Sequence, residues 1–415
     1  MTTTYTVAID LSKFKHTATI AEASTGEICQ TINFAVNQAG FSAFESTLRS
    51  YSTDPNVFVI GCEATGHYGE TLLRRLQQQG YTLVRMNPAQ VAQFRRGLGH
   101  KAKTDALDAE AMAKQLAITD WVADRPLTET LRQLRSLTRL RLDFVQEQSR
   151  WINRIRSVIN QIYPEVEPLL KKLTSATSMA VLSHYPSRQA LAQAPLDELT
   201  ALVQKVSRQN KGEEFAQQLQ QTAQDSVGLD DPSLTVELSL MMSQFTVIAQ
   251  NIRQIEREIR QVTTQLLQEY SDTLGLETPL TLKSFPYGNY LSIATLLSEI
   301  GDVQRFGSLK QLLSYLGWCP NTQESGTGQV KHPRMSHRGN RFARRVLWLM
   351  AVGAVRWIPE YRLYFYQRVK AGKNKMKTLV AIGRKLLSVF YAVLRTGQAY
   401  DPQRYLERMT FPVAA

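Results

Sequence analysis

Cysteine and long apolar stretches are scarce in this sequence, and each scarcity excludes a class of protein. The three cysteines, Cys29, Cys62 and Cys319, lie far apart among 415 residues and show no paired spacing. This excludes a disulfide framework and a cysteine zinc site, and it suits a reducing cytoplasm. No apolar run approaches the roughly 18 residues of a transmembrane helix, and the opening MTTTYTVAID has no signal-peptide pattern. We therefore expect a cytoplasmic protein without membrane contact.

Acidic residues are outnumbered by basic ones, with 36 Asp and Glu against 49 Lys and Arg, which gives a formal charge of +13. An evenly spread excess is typical of a solvated surface, but here the cations cluster in residues 331–345 and 368–377. Clustering favours a nucleic acid as the partner. The candidate nucleic-acid contacts in these stretches are Lys331, Arg334, Arg338, Arg341, Arg344, Arg345, Lys373, Lys375 and Lys377.

The first 124 residues alternate between strand and helix patterns. Strands are predicted at residues 5–10, 16–20, 28–34, 56–62 and 81–85. Helices are predicted at residues 38–51 and 69–79, with another beginning at Asn87-Pro88. This order predicts an α/β domain with a mixed sheet.

Long helices are predicted for residues 125–275. Apolar residues there repeat at steps of three and four, which is a coiled-coil pattern that suits an antiparallel hairpin or a dimerisation rod. The stricter repeat consists of Ile248, Ile252, Ile255, Ile259, Val262 and Leu266. Residues 207–232, rich in Gln, Ser and Asp, are expected to form a less ordered tip or connector. A mostly helical third domain is expected at residues 276–405.

Four carboxylates carry the chemistry that this pattern suggests. Asp10 and Glu63 each follow an apolar strand, and Asp105 and Asp108 are three apart in the helical stretch KTDALDAEAMAKQL, on one helix face. Each one alone is explained better as a turn or helix-cap residue. Taken together, they predict an oxygen-rich site for Mg²⁺ or Mn²⁺ that suits phosphoryl transfer.

Three stretches resemble a known family: Asp10 after VAI, EATG at residues 63–66 and KTDALDA at residues 103–109. They are similar to the DEDD transposases of insertion sequence family 110, relatives of the Piv DNA invertases. The resemblance implies a RuvC-like N-terminal domain of RNase H fold, with Asp10, Glu63, Asp105 and Asp108 as metal ligands and Lys103 as a nucleic-acid contact. It also implies double-stranded donor and target DNA, a structured bridge RNA, a homo-oligomer between dimer and tetramer, and a bacterial, nucleoid-associated location.

A serine nucleophile is expected in the C-terminal domain. The loop NTQESGTG at residues 321–328 places Ser325 before two glycines and a basic run, although an isolated Ser-Gly is usually a plain turn. By resemblance, Ser325 forms a phosphoserine link to DNA, and Ser336 in the basic segment MSHRGN is the competing candidate. The chain has SFPYGN at residues 284–289 where the family usually has a G-x-G-P turn.

The leading hypothesis is a recombinase that excises and inserts a mobile element with both centres. One alternative is a Holliday-junction nuclease in which metal-activated water replaces the serine. The other is a catalytically inactive nucleic-acid-binding descendant of a transposase, disfavoured because all four acids and the serine loop are present.

Overall fold

A computed structural model describes residues 4–63, 68–98, 105–119, 121, 123–124, 127–274, 285, 288–321, 334–335 and 339–401. For residues 105–106, 273–274, 320–321 and 334–335 it describes the backbone alone. The chain divides into two compact units, Met1–Pro126 and Leu127–Ala415.

The first unit contains a five-stranded mixed sheet. The strands are β1 (Tyr5–Asp10), β2 (Lys15–Glu22), β3 (Ile28–Ala35), β4 (Phe58–Glu63) and β5 (Thr82–Met86), in the order β3-β2-β1-β4-β5. The pairs β1–β2 and β2–β3 are antiparallel, whereas β4 and β5 continue the sheet parallel to β1. Strands β1, β2 and β4 are almost wholly buried because helices cover both faces of the sheet.

Helices α1 (Gln38–Tyr51) and α2 (Glu70–Gln78) cover one face. Their side chains Phe44, Leu48 and Leu72 pack with Val7 and Ile9 of β1. Helices α3 (Pro88–Gly97) and α4 (Asp105–Ile118) supply Val91, Met112, Ala113 and Leu116 to the core on the opposite face. The Asn37 and Asn87 side chains accept backbone N–H bonds and so fix the starts of α1 and α3.

The expected α/β architecture of this region is confirmed. The strands β1 and β2 and the helix over residues 38–51 lie where the sequence predicts them, and the two strands form an antiparallel pair. The strand predicted at residues 56–62 starts later than expected, at Phe58, because Pro55–Val57 forms a 3-10 turn capped by the side chain of Asp54.

Two long helices organise the second unit, α5 (Glu129–Ile162) and α10 (Pro232–Leu274). They run antiparallel, because residues early in α5 contact residues late in α10. Thr130 donates a hydrogen bond to Glu269 at 2.6 Å, and Arg141, farther along α5, donates one to the earlier Glu256 at 2.7 Å. The apolar repeat of α10 is buried from Ile248 to Leu266. Of the two arrangements expected from the repeat, this packing corresponds to the antiparallel hairpin within one chain.

Short helices connect the far ends of α5 and α10: α6 (Ala176–His184), α7 (Arg188–Ala192), α8 (Leu196–Ser207) and α9 (Glu213–Gln224). The expectation of a less ordered tip at residues 207–232 was wrong for α9. Its Gln-rich sequence forms a regular helix because Ala216, Leu219 and Ala223 fall on one face and are buried against the tip core.

In the rest of the second unit, the described residues form five α-helices and a short ladder of β6 (Pro320–Asn321) with β7 (Arg334–Met335). Its helices pack on the neighbouring halves of α5 and α10 around one core. They are α11 (Tyr290–Ile300), α12 (Leu309–Leu316), α13 (Arg341–Trp357), α14 (Pro359–Lys370) and α15 (Lys375–Thr396). Within the described ranges, no helix has the length and apolar character to cross a bilayer.

Candidate active site and basic helices

Asp10 and Glu63 end neighbouring strands at the same edge of the sheet. Strand β1 runs parallel to β4, and the last paired residues in their register are Ile9 and Cys62. Asp10 and Glu63 follow these two residues directly, so they occupy adjacent positions at the carboxyl ends of parallel strands. Both are half-buried. This edge is where ligand sites form in α/β sheets.

The two acids also share a face of the sheet. Successive side chains of a strand alternate between faces. Ile9 and Cys62 belong to the core under α1 and α2, whereas Ala8 and Val59 pack with Met112 of α4. By this alternation, Asp10 and Glu63 lie on the face that α4 covers.

Helix α4 is oriented so that its N-terminus points toward this edge. The Thr6 hydroxyl, near the start of β1, donates to the carbonyl of Ala113 at 3.3 Å. Farther along α4, Ala117 lies against Gly26 in the turn between β2 and β3. The end of α4 therefore lies beside the start of β1, and its first turn, with Asp105 and Asp108, extends toward Asp10 and Glu63. The Asp105 side chain lies outside the described part.

Asp108 has a specific cationic partner. Nη1 of Arg95 on α3 donates to Oδ1 of Asp108 at 2.5 Å, and the two side chains are 21% and 18% exposed. The bond engages Oδ1, one of the two oxygens of this carboxylate.

The donor set suits a hard divalent cation. Asp10, Glu63 and Asp108 offer carboxylate oxygens, which are the ligands that Mg²⁺ and Mn²⁺ prefer. Among the side chains that the structure describes, no three His, Cys, Asp or Glu residues lie close enough together to hold a metal ion. The fit to a metal therefore rests on ligand chemistry and on the shared edge and face.

The basic residues predicted to bind nucleic acid fall on two helix starts where they are described. Arg341, Arg344 and Arg345 lie in the first turns of α13, and Arg341 and Arg345 are exposed. Lys373 lies in the turn before α15, Lys375 and Lys377 lie in its first turn, and all three are exposed. Only the backbone of Arg334 is described. The remaining predicted residues lie outside the described ranges: Lys103, Ser325, Lys331, Ser336 and Arg338.

Two family models match this chain, one over the four candidate acids and the other over the candidate serines. Residues 7–164 match the DEDD transposase model of IS110, and residues 281–366 match the transposase family IS116/IS110/IS902. The two segments together span more than half of the chain. The chain belongs to this transposase family.

Relatives of the transposase cover most of its length at low identity. It is 28% identical over 322 residues to an uncharacterized 43.6 kDa protein of insertion element IS110 from Streptomyces coelicolor, covering 72% of this chain and 73% of that protein. It is 24% identical over 403 residues to a 44.8 kDa protein of IS116 from Streptomyces clavuligerus, at 95% and 96% coverage. It is 23% identical to the pilin gene-inverting protein of Moraxella bovis, at 97% and 98% coverage.

Two groups of charged residues in the transposase escaped the sequence-based prediction. One is Arg95, whose only signal was a pair of arginines in the helix before KTDALDA. The other is centred on Glu299, an acid within the apolar run LSIATLLSEI that is fully buried. A carboxylate in an otherwise apolar helix requires a buried partner, which was a usable signal.

Glu299 connects α11 to α13. Its Oε2 accepts a hydrogen bond from the side-chain Nδ2 of Asn340 at 2.6 Å. Oδ1 of Asn340 in turn accepts hydrogen bonds from the backbone N–H groups of Phe342 and Ala343, both at 3.0 Å. Asn340 therefore caps the basic helix α13 and is itself held by the buried carboxylate.

Proposed function

We propose that this chain is a transposase that cuts and rejoins DNA strands to excise and insert a mobile element. The observation that carries the proposal is the placement of Asp10 and Glu63 at adjacent strand ends, on the face toward which the first turn of α4 brings Asp108. Strand exchange at a phosphodiester requires stabilisation of negative charge and precise positioning of the attacking and leaving oxygens.

Asp10, Glu63, Asp105 and Asp108 are assigned as ligands of Mg²⁺ or Mn²⁺. When bound, the ion polarises the scissile phosphate and neutralises the charge that develops on it. The protein supplies the orientation: Asp10 and Glu63 are fixed by the sheet register, and Asp108 is fixed by α4 and Arg95. The strand order β3-β2-β1-β4-β5, with an antiparallel β1-β2-β3 meander, supports the RNase H-like, RuvC-type assignment of this unit.

Ser325 is assigned as the nucleophile. Its Oγ attacks the phosphorus, the bond to a deoxyribose oxygen breaks, and the leaving 3′- or 5′-hydroxyl takes up a proton. The attack leaves a phosphoserine diester that a second DNA hydroxyl resolves. Ser336 is the competing nucleophile. The exposed cations Arg341, Arg345, Lys373, Lys375 and Lys377 support DNA binding by this part of the chain.

A structured bridge RNA and assembly into a homo-oligomer complete the proposal. Both come from membership of the family, together with the clustered positive charge, which suits either nucleic acid. Purification of the protein from its host, followed by sequencing of bound nucleic acid, tests the RNA. A discrete RNA that matches DNA next to the gene supports guidance, and recovery of random fragments contradicts it.

An excision assay in cells tests the function itself, with the element on a plasmid and the protein supplied in trans. We expect the wild-type protein to produce the excised junction and Asp10→Asn to abolish it. Glu110→Gln is the matched control, because Glu110 also lies on α4 but pairs with Lys114 at 2.8 Å. Excision that continues with Asp10→Asn would support the alternative of a nucleic-acid-binding protein without catalytic activity.

A further inference from the structure

Glu299 lies within a group of arginines that its single charge cannot neutralise. Arg139 donates to both of its carboxylate oxygens, at 2.7 and 2.8 Å, which is the bidentate geometry of a strong pair. Arg135 lies 3.7 Å from Oε2 and donates to the backbone carbonyls of Ser298 and Glu299 at 2.8 and 3.4 Å. One carboxylate thus faces two guanidinium groups.

A third arginine lies beside them. The Arg305 guanidinium stacks on the rings of Phe306 and Tyr315, at 4.6 and 4.4 Å from their centroids, and the Tyr315 hydroxyl donates to the carbonyl of Glu299 at 3.3 Å. Nε of Arg305 is buried and has no hydrogen-bond partner in the described structure. Asp302, three residues earlier, caps the 3-10 turn that carries Arg305.

The electrostatic effect of this crowding is visible at Arg135. Burial is the main cause that lowers the pKa of Arg135; the charge of Glu299 raises it, and the smaller effects of Arg139 and Arg305 lower it. Since a guanidinium stays protonated in proteins, Arg135 is a buried cation with two further cations beside it. An anion bound beside the three arginines would add a second counter-charge to that of Glu299.

A fourth arginine, Arg341, lies at the start of α13. The guanidinium groups of Arg139 and Arg341 both stack on the ring of Phe342, at 4.6 and 4.7 Å from its centroid. Arg341 is exposed, and the side chains of Arg139 and Arg135 are 41% and 25% exposed. These guanidinium groups are held by packing and also remain accessible to a ligand.

We propose that Arg135, Arg139, Arg305 and Arg341, here called the arginine cluster, bind the phosphodiester backbone of the substrate DNA. Arg135 and Arg139 face the one buried carboxylate of Glu299, and Arg305 and Arg341 stack on the neighbouring rings of Tyr315 and Phe342, so the site has an excess of positive charge that a phosphate complements. Guanidinium groups fixed by aromatic stacking and by Glu299 match the planar, two-donor recognition of phosphate oxygens.

The position of the cluster along the chain favours DNA over RNA as its ligand. Asn340, which Glu299 holds, lies two residues after Arg338 of the basic segment MSHRGN, and both candidate nucleophiles precede it in the chain. A phosphate site at the start of α13 would therefore bind the DNA strand that the nucleophile cuts. The identity of the ligand rests on the proposed function, whereas the existence of an anion site rests on the arginines alone.

Binding of a fluorescein-labelled DNA duplex, measured by anisotropy in EDTA over a range of salt concentrations, tests the proposal without any catalysis. Arg305→Gln and Arg341→Gln remove charges that do not pair with Glu299. Each is expected to reduce the slope of log Kd against log salt by about 0.9, the value for one phosphate contact. Arg257→Gln, at an exposed position of α10, is the matched control and is expected to leave the slope unchanged.

Unchanged slopes for both cluster variants, with thermal melting like that of the wild type, would overturn the proposal. So would weaker binding to a single-stranded RNA probe with unchanged binding to the duplex, which would assign the cluster to RNA. Because excision takes no part in this measurement, loss of excision in Asp10→Asn and loss of duplex binding in Arg305→Gln are separate results.

A second measurement on the wild-type protein does not depend on variants that fold. Phenylglyoxal modifies accessible arginines, and mass spectrometry identifies the modified peptides. With the duplex present, we expect Arg139, Arg305 and Arg341 to be protected while Arg257 stays reactive. Equal modification of the cluster with and without the duplex would contradict the proposal.

Discussion

Arg95 on α3 donates to Oδ1 of Asp108 on α4 at 2.5 Å, on the sheet face that also carries Asp10 and Glu63. The contact engages Oδ1 of Asp108 and restrains the orientation of the carboxylate. Residues that hydrogen-bond to a metal ligand and orient it have a large effect on metal affinity when they are mutated. Arg95 is therefore a positioning residue in the proposed metal site.

Replacement of Arg95 by alanine should weaken Mn²⁺ binding by about 10- to 100-fold, because Asp108 loses the contact that orients it. Isothermal titration with Mn²⁺ measures this directly. Arg96→Ala is the matched control, since Arg96 is the next residue of α3 and is exposed. Unchanged affinity in Arg95→Ala, or an equal loss in Arg96→Ala, would show that the ion pair does not position Asp108.

The pair of Arg139 and Glu299 should respond asymmetrically to mutation. Arg139→Met leaves a fully buried carboxylate without its bidentate partner and should lower the free energy of unfolding by about 3 kcal/mol. Glu299→Met should cost less, because the Arg139 side chain is 41% exposed and can reach water. Urea denaturation of the two variants and the double variant measures both values and their coupling. An equal decrease in the free energy of unfolding for Arg139→Met and Glu299→Met would contradict this expectation.

Much of the first unit was predictable because its sequence is locally consistent. The stretch YTVAID is apolar up to Asp10, and the helix from Gln38 has Asn37 as its cap and apolar residues at helical spacing. The two strand-end acids could be placed at one edge for the same reason. Their shared face depends on the register of β1 with β4, which the sequence does not specify.

The charged networks were not predictable, because their partners are distant in sequence. Arg139 and Glu299 are 160 residues apart, and nothing in either segment identifies the other. Helix α9 was missed for a different reason: its Gln-rich composition concealed the small apolar face of Ala216, Leu219 and Ala223. In that segment, packing on the tip core determines the helix more than composition does.

The identity of the nucleophile separates a transposase that forms a protein–DNA link from a junction nuclease. Ser325→Ala should abolish the covalent protein–DNA product, which migrates as a shifted band on a denaturing gel, while DNA binding persists. Ser336→Ala is the matched variant in the same basic region and should retain the product. Strand cleavage at the wild-type rate in Ser325→Ala would support metal-activated water as the nucleophile. Loss of the adduct in Ser336→Ala alone would assign the role to Ser336.

The central claim is that the acids at the ends of β1, β4 and the start of α4 hold a divalent cation. Isothermal titration of the purified protein with Mn²⁺ tests it most directly, with Asp10→Asn, Glu63→Gln and Asp108→Asn compared with Glu110→Gln. We predict that the wild type and Glu110→Gln bind Mn²⁺ with the same affinity. Each of the other three variants should bind it at least about 100-fold more weakly, because it lacks a charged ligand. Equal Mn²⁺ affinity in the wild type and in Asp10→Asn would contradict the claim.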